Sequence, residues 1–198
     1  MIALPDIHYI NNSLPVDGKS SSGQDDLSTL IRECMAHSRG AQKRLYDIYA
    51  PAAYGIIKRY MFKDEEAARE ILNDSFFKIL TKLDQYSFQG AFEGWIRRIV
   101  VNTVTDYLRK NIKDAPVHKE VQPEDAFVNS SSVETLSHKE LLQVVQTLPQ
   151  AQLAVFNLFV FENCAHKEIA DLLNITENNS RWYLNDARRR LKEKLAGK

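Results

Sequence analysis

The chain has 198 residues, 44% of them hydrophobic and 26% charged, with 26 Lys/Arg against 26 Asp/Glu and a formal net charge of zero. That length suits one domain or two small ones, and no apolar run approaches the ~20 residues a membrane helix needs. The start, Met1-Ile-Ala-Leu-Pro-Asp, lacks the basic opening and long apolar run of a signal peptide. Cys34 and Cys164 lie far apart and form no CxxC, so reduced thiols in a soluble cytoplasmic protein are expected.

The zero charge hides segregation along the chain. Residues 1–24 carry −1, 25–110 carry +2, 111–137 carry −3 and 138–198 carry +2. Acidic and basic faces kept apart suit a protein that touches both nucleic acid and another protein.

Residues 1–24 contain Asn11-Asn-Ser, Pro15, Gly18 and Ser20-Ser-Ser-Gly23, and read as a mobile tail. From Leu27 to Lys110 the pattern is helical almost throughout, within a first domain placed at 25–110. Pro51 and Gly55 are its expected weak points, and Ser87-Phe-Gln-Gly90 its one clear loop. Over Asp64–Leu83 the helical period gathers Ala68, Ile71, Leu72, Ser75, Phe76, Ile79, Leu80 and Leu83 on a core side. Glu66, Glu70, Asn73, Asp74, Thr81 and Phe77 fall opposite. Two readings of that face stand: a solvated acidic surface with one stray aromatic, or an aromatic anchor ringed by carboxylates that docks a basic partner.

Tyr86, Phe88 and Phe92 surround the loop, Trp95 opens the next helix, and Arg97, Arg98, Asn102, Arg109 and Lys110 follow. Ile96, Ile99, Val100, Thr103, Val104 and Leu108 serve its core side. Aromatic faces beside a basic strip are what unstacked nucleic-acid bases need, and an amide such as Asn102 bonds base edges. Phe92 and Trp95 at helical spacing also fit an ordinary core. Residues 111–137, with Pro116, Pro123, Ser130-Ser-Ser and clustered acids, read as a linker.

The second domain, 138–198, carries the plainest motif. After Leu148-Pro149 comes a helical stretch, then a short helix His166–Leu173, a turn Asn174-Ile175-Thr176 and a cationic helix Glu177–Leu195. That is helix-turn-helix grammar, with the second helix presented to the major groove. Ile169, Leu172 and Ile175 pack inside, against a stripe of Leu184, Ala187, Leu191 and Leu195. Thr176 is placed to cap the second helix. Asn178, Asn179, Trp182, Asn185, Asp186 and Arg189 fall roughly opposite the stripe, with Arg181 and Arg188 on the flanks. The front residues suit base edges, and Arg188, Arg189 and Arg190 suit phosphates. Asp186 is an anion expected to face a polyanion, to accept from cytosine, to orient an arginine, or to lie off the interface.

No internal repeat or alternating strand pattern appears. An all-α fold of two small helical domains on a flexible linker is therefore expected, the C-terminal one a helix-turn-helix. There is no Gly-rich phosphate loop; Cys164-x-His166 lacks two further zinc ligands; Cys34 and His37 look like an ordinary helix pair. Neither catalysis, nor a cofactor, nor a metal is expected.

In this order the motifs resemble the bacterial sigma factors of the extracytoplasmic-function (ECF) type, in the sigma-70 family. Ala68-Arg-Glu-Ile-Leu-Asn-Asp-Ser-Phe76 resembles region 2.2. Phe92-Glu-Gly-Trp-Ile-Arg-Arg-Ile-Val-Val-Asn102 and Asp106-Tyr-Leu-Arg109 resemble regions 2.3 and 2.4. His166-Lys-Glu-Ile-Ala170 through Ala187-Arg188 resembles region 4.2. The resemblance implies that Glu70, Asn73 and Asp74 lie on a surface binding the clamp coiled coil of core RNA polymerase. It implies that Asn102 and the Tyr86–Phe92 loop capture an unstacked base of the −10 element, and that Arg181–Asp186 meets the −35 element. It also implies promoter DNA and an anti-sigma protein as partners. The chain departs from the family where Asn178-Asn179 replaces a common Gly-Thr and Asp186 a frequent arginine, so an unusual −35 preference is expected. Taken without the resemblance, the residues also admit a stand-alone helix-turn-helix regulator, or an interaction adaptor whose helix-turn-helix no longer binds DNA.

Overall fold

The computed structural model describes residues 21–112 and 138–196, and among them eight α-helices, one short 3-10 turn and no strand. The chain divides into two units, 1–104 and 105–198, with the division inside a helix. The tail expected over 1–24 lies outside the described residues up to residue 20, and residues 21–24 belong to the first helix. The linker expected over 111–137 lies outside them from residue 113 onward.

In the first unit, α1 (Ser21–Met35) packs on α2 (Arg39–Tyr60), and α2 on α3 (Glu65–Thr81). A 3-10 turn (Leu83–Gln85) and a loop lead into α4 (Phe92–Asn111). Each start has a local cause. Ser38 caps α2 by accepting from the Ala41 N–H at 3.4 Å, and Asp64 caps α3 by accepting from the Ala67 N–H at 2.9 Å. Glu65 and Glu66 then occupy the positive end of α3. Glu65 also ties α3 to α2, accepting from the Tyr54 hydroxyl at 2.5 Å and from Lys58 Nζ at 3.0 Å.

The expected core side of α3 is buried at Ala68, Ile71, Leu72, Ser75, Phe76 and Ile79, with Leu83 beyond it. Leu80 is half-buried. Ser75 is tolerated there because its hydroxyl donates to the Ile71 carbonyl at 2.7 Å.

Two expectations fail in this unit. Helix α2 runs unbroken through Pro51 and Gly55. An interior proline costs about 3 kcal/mol, but Leu45, Tyr49, Ala50, Ala53, Tyr54, Ile56, Ile57 and Tyr60 are all buried on this one helix. Burying each large apolar side chain returns roughly 1.5–3 kcal/mol, so tertiary packing wins. Helix α4 opens at Phe92, not at Trp95, and the Gly94 and Trp95 N–H groups already donate to the Ala91 carbonyl.

In the second unit α5 (His138–Val145), α6 (Gln150–Val160), α7 (His166–Leu173) and α8 (Glu177–Ala196) follow the 105–112 end of α4. Leu148, Leu153 and Ala187 form a buried cluster, with Val145, Phe156 and Leu191 packed against it. Glu168 caps α7 by accepting from the Ala165 N–H at 2.7 Å. Asn174, at φ 53° and ψ 48°, ends α7 in the left-handed conformation that asparagine tolerates best after glycine. Thr176 Oγ1 then accepts from the Asn179 N–H at 3.1 Å and starts α8, as its position implied. Ile169 and Leu173 are buried, while Leu172 and Ile175 are half-buried.

Candidate docking and nucleic-acid interfaces

The outer face of α3 is presented as the helical period requires. Glu66, Glu70, Asn73 and Asp74 are exposed, and Phe77 stands 71% exposed among them. Thr81 turns its hydroxyl back onto the Phe77 carbonyl at 2.8 Å. A phenyl ring this open to water gains little for the fold, and the exposed Glu66, Glu70 and Asp74 give the face N-terminal to it one sign of charge.

Around the loop the aromatic residues separate into two kinds. Tyr86 is buried, and its hydroxyl donates to the Gly90 carbonyl at 2.9 Å. Phe92 is 1% exposed, stacked on Trp95 with centroids 5.5 Å apart and edge-on to Tyr49 and Tyr86. These two rings are therefore core, contrary to the expectation that they offer faces to a base: with no free face, they shape the loop from beneath. Phe88 is the outward ring, 45% exposed, at φ 57° with the Arg32 guanidinium 5.8 Å from its centroid. Trp95 is half-buried, Arg98 and Asn102 are exposed, and Arg97 is half-buried. Trp95, Arg98 and Asn102 fall at i, i+3 and i+7, on one side of α4. Arg109, in the second unit, donates from Nε and Nη2 to the Leu172 carbonyl at 3.2 and 2.8 Å. Its guanidinium also lies 3.8 Å from Asp106, and its side chain is partly exposed.

Helix α8 is rotated relative to the expected wheel. Its buried arc is Asn179, Ser180, Tyr183, Leu184, Asp186 and Ala187. Asn179, at 3% exposure, and Asp186, at 7%, lie inside, contrary to the outward placement expected for both. Asp186 is held there because it accepts from Gln152 Nε2 at 2.9 Å, Arg190 Nε at 2.6 Å and Arg189 Nη2 at 2.5 Å. Burial alone pushes its pKa up, but the hydrogen bonds from Arg190, Arg189 and Gln152 outweigh that and hold the carboxyl below its ordinary range. Arg189 also donates to Glu193 at 2.8 Å, Arg181 pairs with Glu177 at 2.5 Å, and Arg188 lies 5.6 Å over Phe159. Arg181 is exposed, and Asn178, Trp182 and Asn185 are half-exposed.

Three contacts have no counterpart in the sequence pattern, those of Gln152 with Asp186, His166 with Ser180 and Arg32 with Phe88. His166 stacks on Phe159 at 5.0 Å, and its Nδ1 lies 3.0 Å from the Ser180 hydroxyl. Burial first, then the nearby Arg181, lower its pKa. Gln152 carried one available signal, a polar side chain in the otherwise apolar run Ala151–Val155.

A helix-turn-helix unit joined to a second helical unit with an open acidic face and an aromatic loop defines the class as a helix-turn-helix, DNA-binding protein of two helical units. Residues 45–113 match Sigma-70 region 2, and residues 138–191 match Sigma-70, region 4. The ECF RNA polymerase sigma factor SigM of Bacillus subtilis (strain 168) is 26% identical over 156 residues, 75% of this chain and 91% of SigM. SigW of the same organism, also an ECF RNA polymerase sigma factor, is 24% identical over 182 residues, 83% of this chain and 94% of SigW. The solved structure of CnrH in complex with the cytosolic domain of CnrY aligns at a TM-score of 0.45 and 16% identity, covering 85% of this chain and 96% of that one. The chain belongs to the sigma-70 family and is an ECF-type sigma factor. As such it binds core RNA polymerase and directs promoter recognition and transcription initiation. Among the described residues, no helix is long and apolar enough to cross a membrane.

Proposed function

We propose that the three surfaces divide the work of initiation among them. The α3 face of Glu66, Glu70, Asn73, Asp74 and Phe77 docks on core RNA polymerase. Phe88, Trp95, Arg97, Arg98 and Asn102 hold an unstacked base and the adjoining backbone of the −10 element. Asn178, Arg181, Trp182 and Asn185 read the −35 element from the exposed side of α8. The observation that carries this reading is Phe77, 71% exposed on the same face as the exposed Glu66, Glu70 and Asp74, on a helix whose other side is buried. A stand-alone helix-turn-helix regulator has no use for such a face.

In that scheme the chain acts by binding energy. Stacking on an exposed ring and hydrogen bonds from an amide favour a base only once it has left the duplex, so they favour the melted state over the closed one. The same reading places the protein in the cytoplasm with the polymerase, and proposes residues 25–110 and 138–198 as the working domains, the first for core polymerase and the −10 element and the second for the −35 element. An anti-sigma protein that covers these surfaces is proposed as a further partner, to be sought by co-purification of the tagged full chain.

In vitro transcription tests the scheme. Core polymerase with the full chain is expected to give discrete transcripts from promoter fragments selected out of genomic DNA, and core alone none. Binding of the chain to duplex DNA with neither core binding nor transcripts would establish the stand-alone regulator instead.

A further inference from the structure

The recognition helix is rich in arginine, yet each arginine already has an intramolecular partner. Arg181 pairs with Glu177, Arg188 lies over Phe159, Arg189 bridges Asp186 and Glu193, and Arg190 binds Asp186. The pairs of Arg181 with Glu177 and of Arg189 with Glu193 lie at the surface, where water and salt weaken them and a phosphate readily displaces them. Asp186 is different. Its carboxylate is buried, and Gln152 supplies only one neutral hydrogen bond. Withdrawing both Arg189 and Arg190 to DNA would leave a buried charge without a cation, a far greater loss than a surface ion pair suffers. An anion at this position therefore acts on the arginines, not on the DNA.

We propose that Asp186 is a positioning residue that retains Arg189 and Arg190 on the protein, so that α8 meets the −35 element through its base-reading front with few backbone cations. The proposal rests on the reading of α8 as the −35 surface. It replaces the expectation that Arg189 holds phosphate. Its consequence is a shallow salt dependence: the sequence-independent part of DNA affinity scales with the number of phosphates neutralised, and this helix withholds two cations from that count.

The test measures holoenzyme, assembled from core polymerase and the full chain, on a mixed-sequence DNA duplex by fluorescence anisotropy across a potassium chloride series. Asp186→Asn keeps the shape of the side chain and an acceptor for Gln152, but frees the two arginines. Its slope of log affinity against log salt should steepen by about 0.9 per phosphate gained, so two contacts enlarge the loss of affinity between roughly 50 and 200 mM salt by about tenfold. Adding Arg189→Gln to Asp186→Asn should take back about half of that increase. Arg189→Gln by itself leaves Arg190 on Asp186 and should not move the slope. A slope made shallower by Arg189→Gln alone, or unmoved by Asp186→Asn in a protein of native helicity, overturns the proposal while leaving the −35 reading intact. If Asp186→Asn fails to fold, Arg189→Gln decides the matter unaided. A DNase footprint of wild-type holoenzyme that stops short of the −35 region overturns the −35 reading and the proposal together.

Discussion

Phe92 and Phe88 stand four residues apart beside one loop, and the structure assigns them opposite consequences when truncated. Phe92 is 1% exposed and touches the rings of Tyr49, Tyr86 and Trp95. Deleting a buried phenyl costs about 3–5 kcal/mol, and each lost aromatic pair carries roughly 0.5–1.5 kcal/mol beyond its buried area. Against a domain stability of about 5–15 kcal/mol, Phe92→Ala should leave the first unit near its unfolding threshold and lower its melting temperature by roughly 15–30 °C. Phe88 is half in water, touches Tyr86 and Arg32, and sits at φ 57°, where any residue with a β-carbon pays about 1–2 kcal/mol. Truncating it loses about 1 kcal/mol or less, since exposed cation–π contacts are worth roughly 0.5–1 kcal/mol, and Phe88→Gly should recover part of that by relieving the backbone. Function runs the other way. A base stacked on an aromatic ring gains about 1–3 kcal/mol, so Phe88→Ala should reduce the open-complex fraction by about 5- to 150-fold in equilibrium constant. Urea denaturation of the free chain gives the first comparison, and permanganate footprinting of holoenzyme on promoter DNA the second. Equal destabilisation by the two variants, or wild-type opening with Phe88→Ala, would refute the assignment of these rings.

Four further outcomes are expected. Glu70→Lys and Asp74→Lys should keep native helicity, because both side chains are exposed, yet weaken core polymerase binding by about 2–5 kcal/mol; an unchanged affinity in a titration removes the docking assignment. Asn102→Ala should depress promoter opening more than closed-complex binding, as a group that meets only an extruded base must; equal defects in both make Asn102 structural. Arg181→Ala loses one exposed pair with Glu177, worth about 0.3–0.5 kcal/mol, but should change the −35 sequences recovered from randomised DNA, each lost base contact costing roughly 1–3 kcal/mol. Recovery of the same sequences by wild type and variant shows that α8 does not read bases there. His166, whose folded pKa lies below the ordinary 6.5 through burial and Arg181, binds fewer protons folded than unfolded. The second unit should therefore lose stability as pH falls from about 6.5, and His166→Asn should flatten that slope. Trp182 fluorescence in a Trp95→Phe background follows this unit alone, and a pH slope that His166→Asn leaves unchanged assigns the titration elsewhere.

What could be read without the structure was what depends on neighbours in sequence. The ends of α7 and α8 follow from Asn174 and Thr176, whose preferences for a left-handed stop and an N-cap act within one turn. The two faces of α3 follow from periodicity, because one side of that helix is apolar but for Ser75, whose hydroxyl is satisfied within the helix. Pro51 was misleading for the opposite reason: its local penalty is real, but the packing that overrides it comes from distant residues, among them Phe76 against Tyr46 on the same helix. The fates of Tyr86, Phe88 and Phe92 were equally hidden. Which ring turns inward depends on left-handed backbone at Phe88 and Gly90, the latter at φ 80°, and composition does not encode that choice.

The polar residues of α8 extend the same argument to function. A helical wheel sends Asn179 and Asp186 outward, since an unpaired polar side chain is costly to bury. Both are buried nonetheless, and for Asp186 the partner that permits it, Gln152, lies on another helix 34 residues away. Once Asp186 is inside, the arginines at i+3 and i+4 are drawn to it by spacing alone. The helix then has the composition of a phosphate binder but keeps two of its arginines, Arg189 and Arg190, on the protein. A −35 contact built this way is weak by itself, so promoter binding has to be shared with the −10 surface and the polymerase, where each engaged site raises the effective concentration of DNA at the next. On this view the zero net charge is a functional property. A sigma factor with little unspecific affinity for DNA recognises promoters chiefly when assembled on the polymerase.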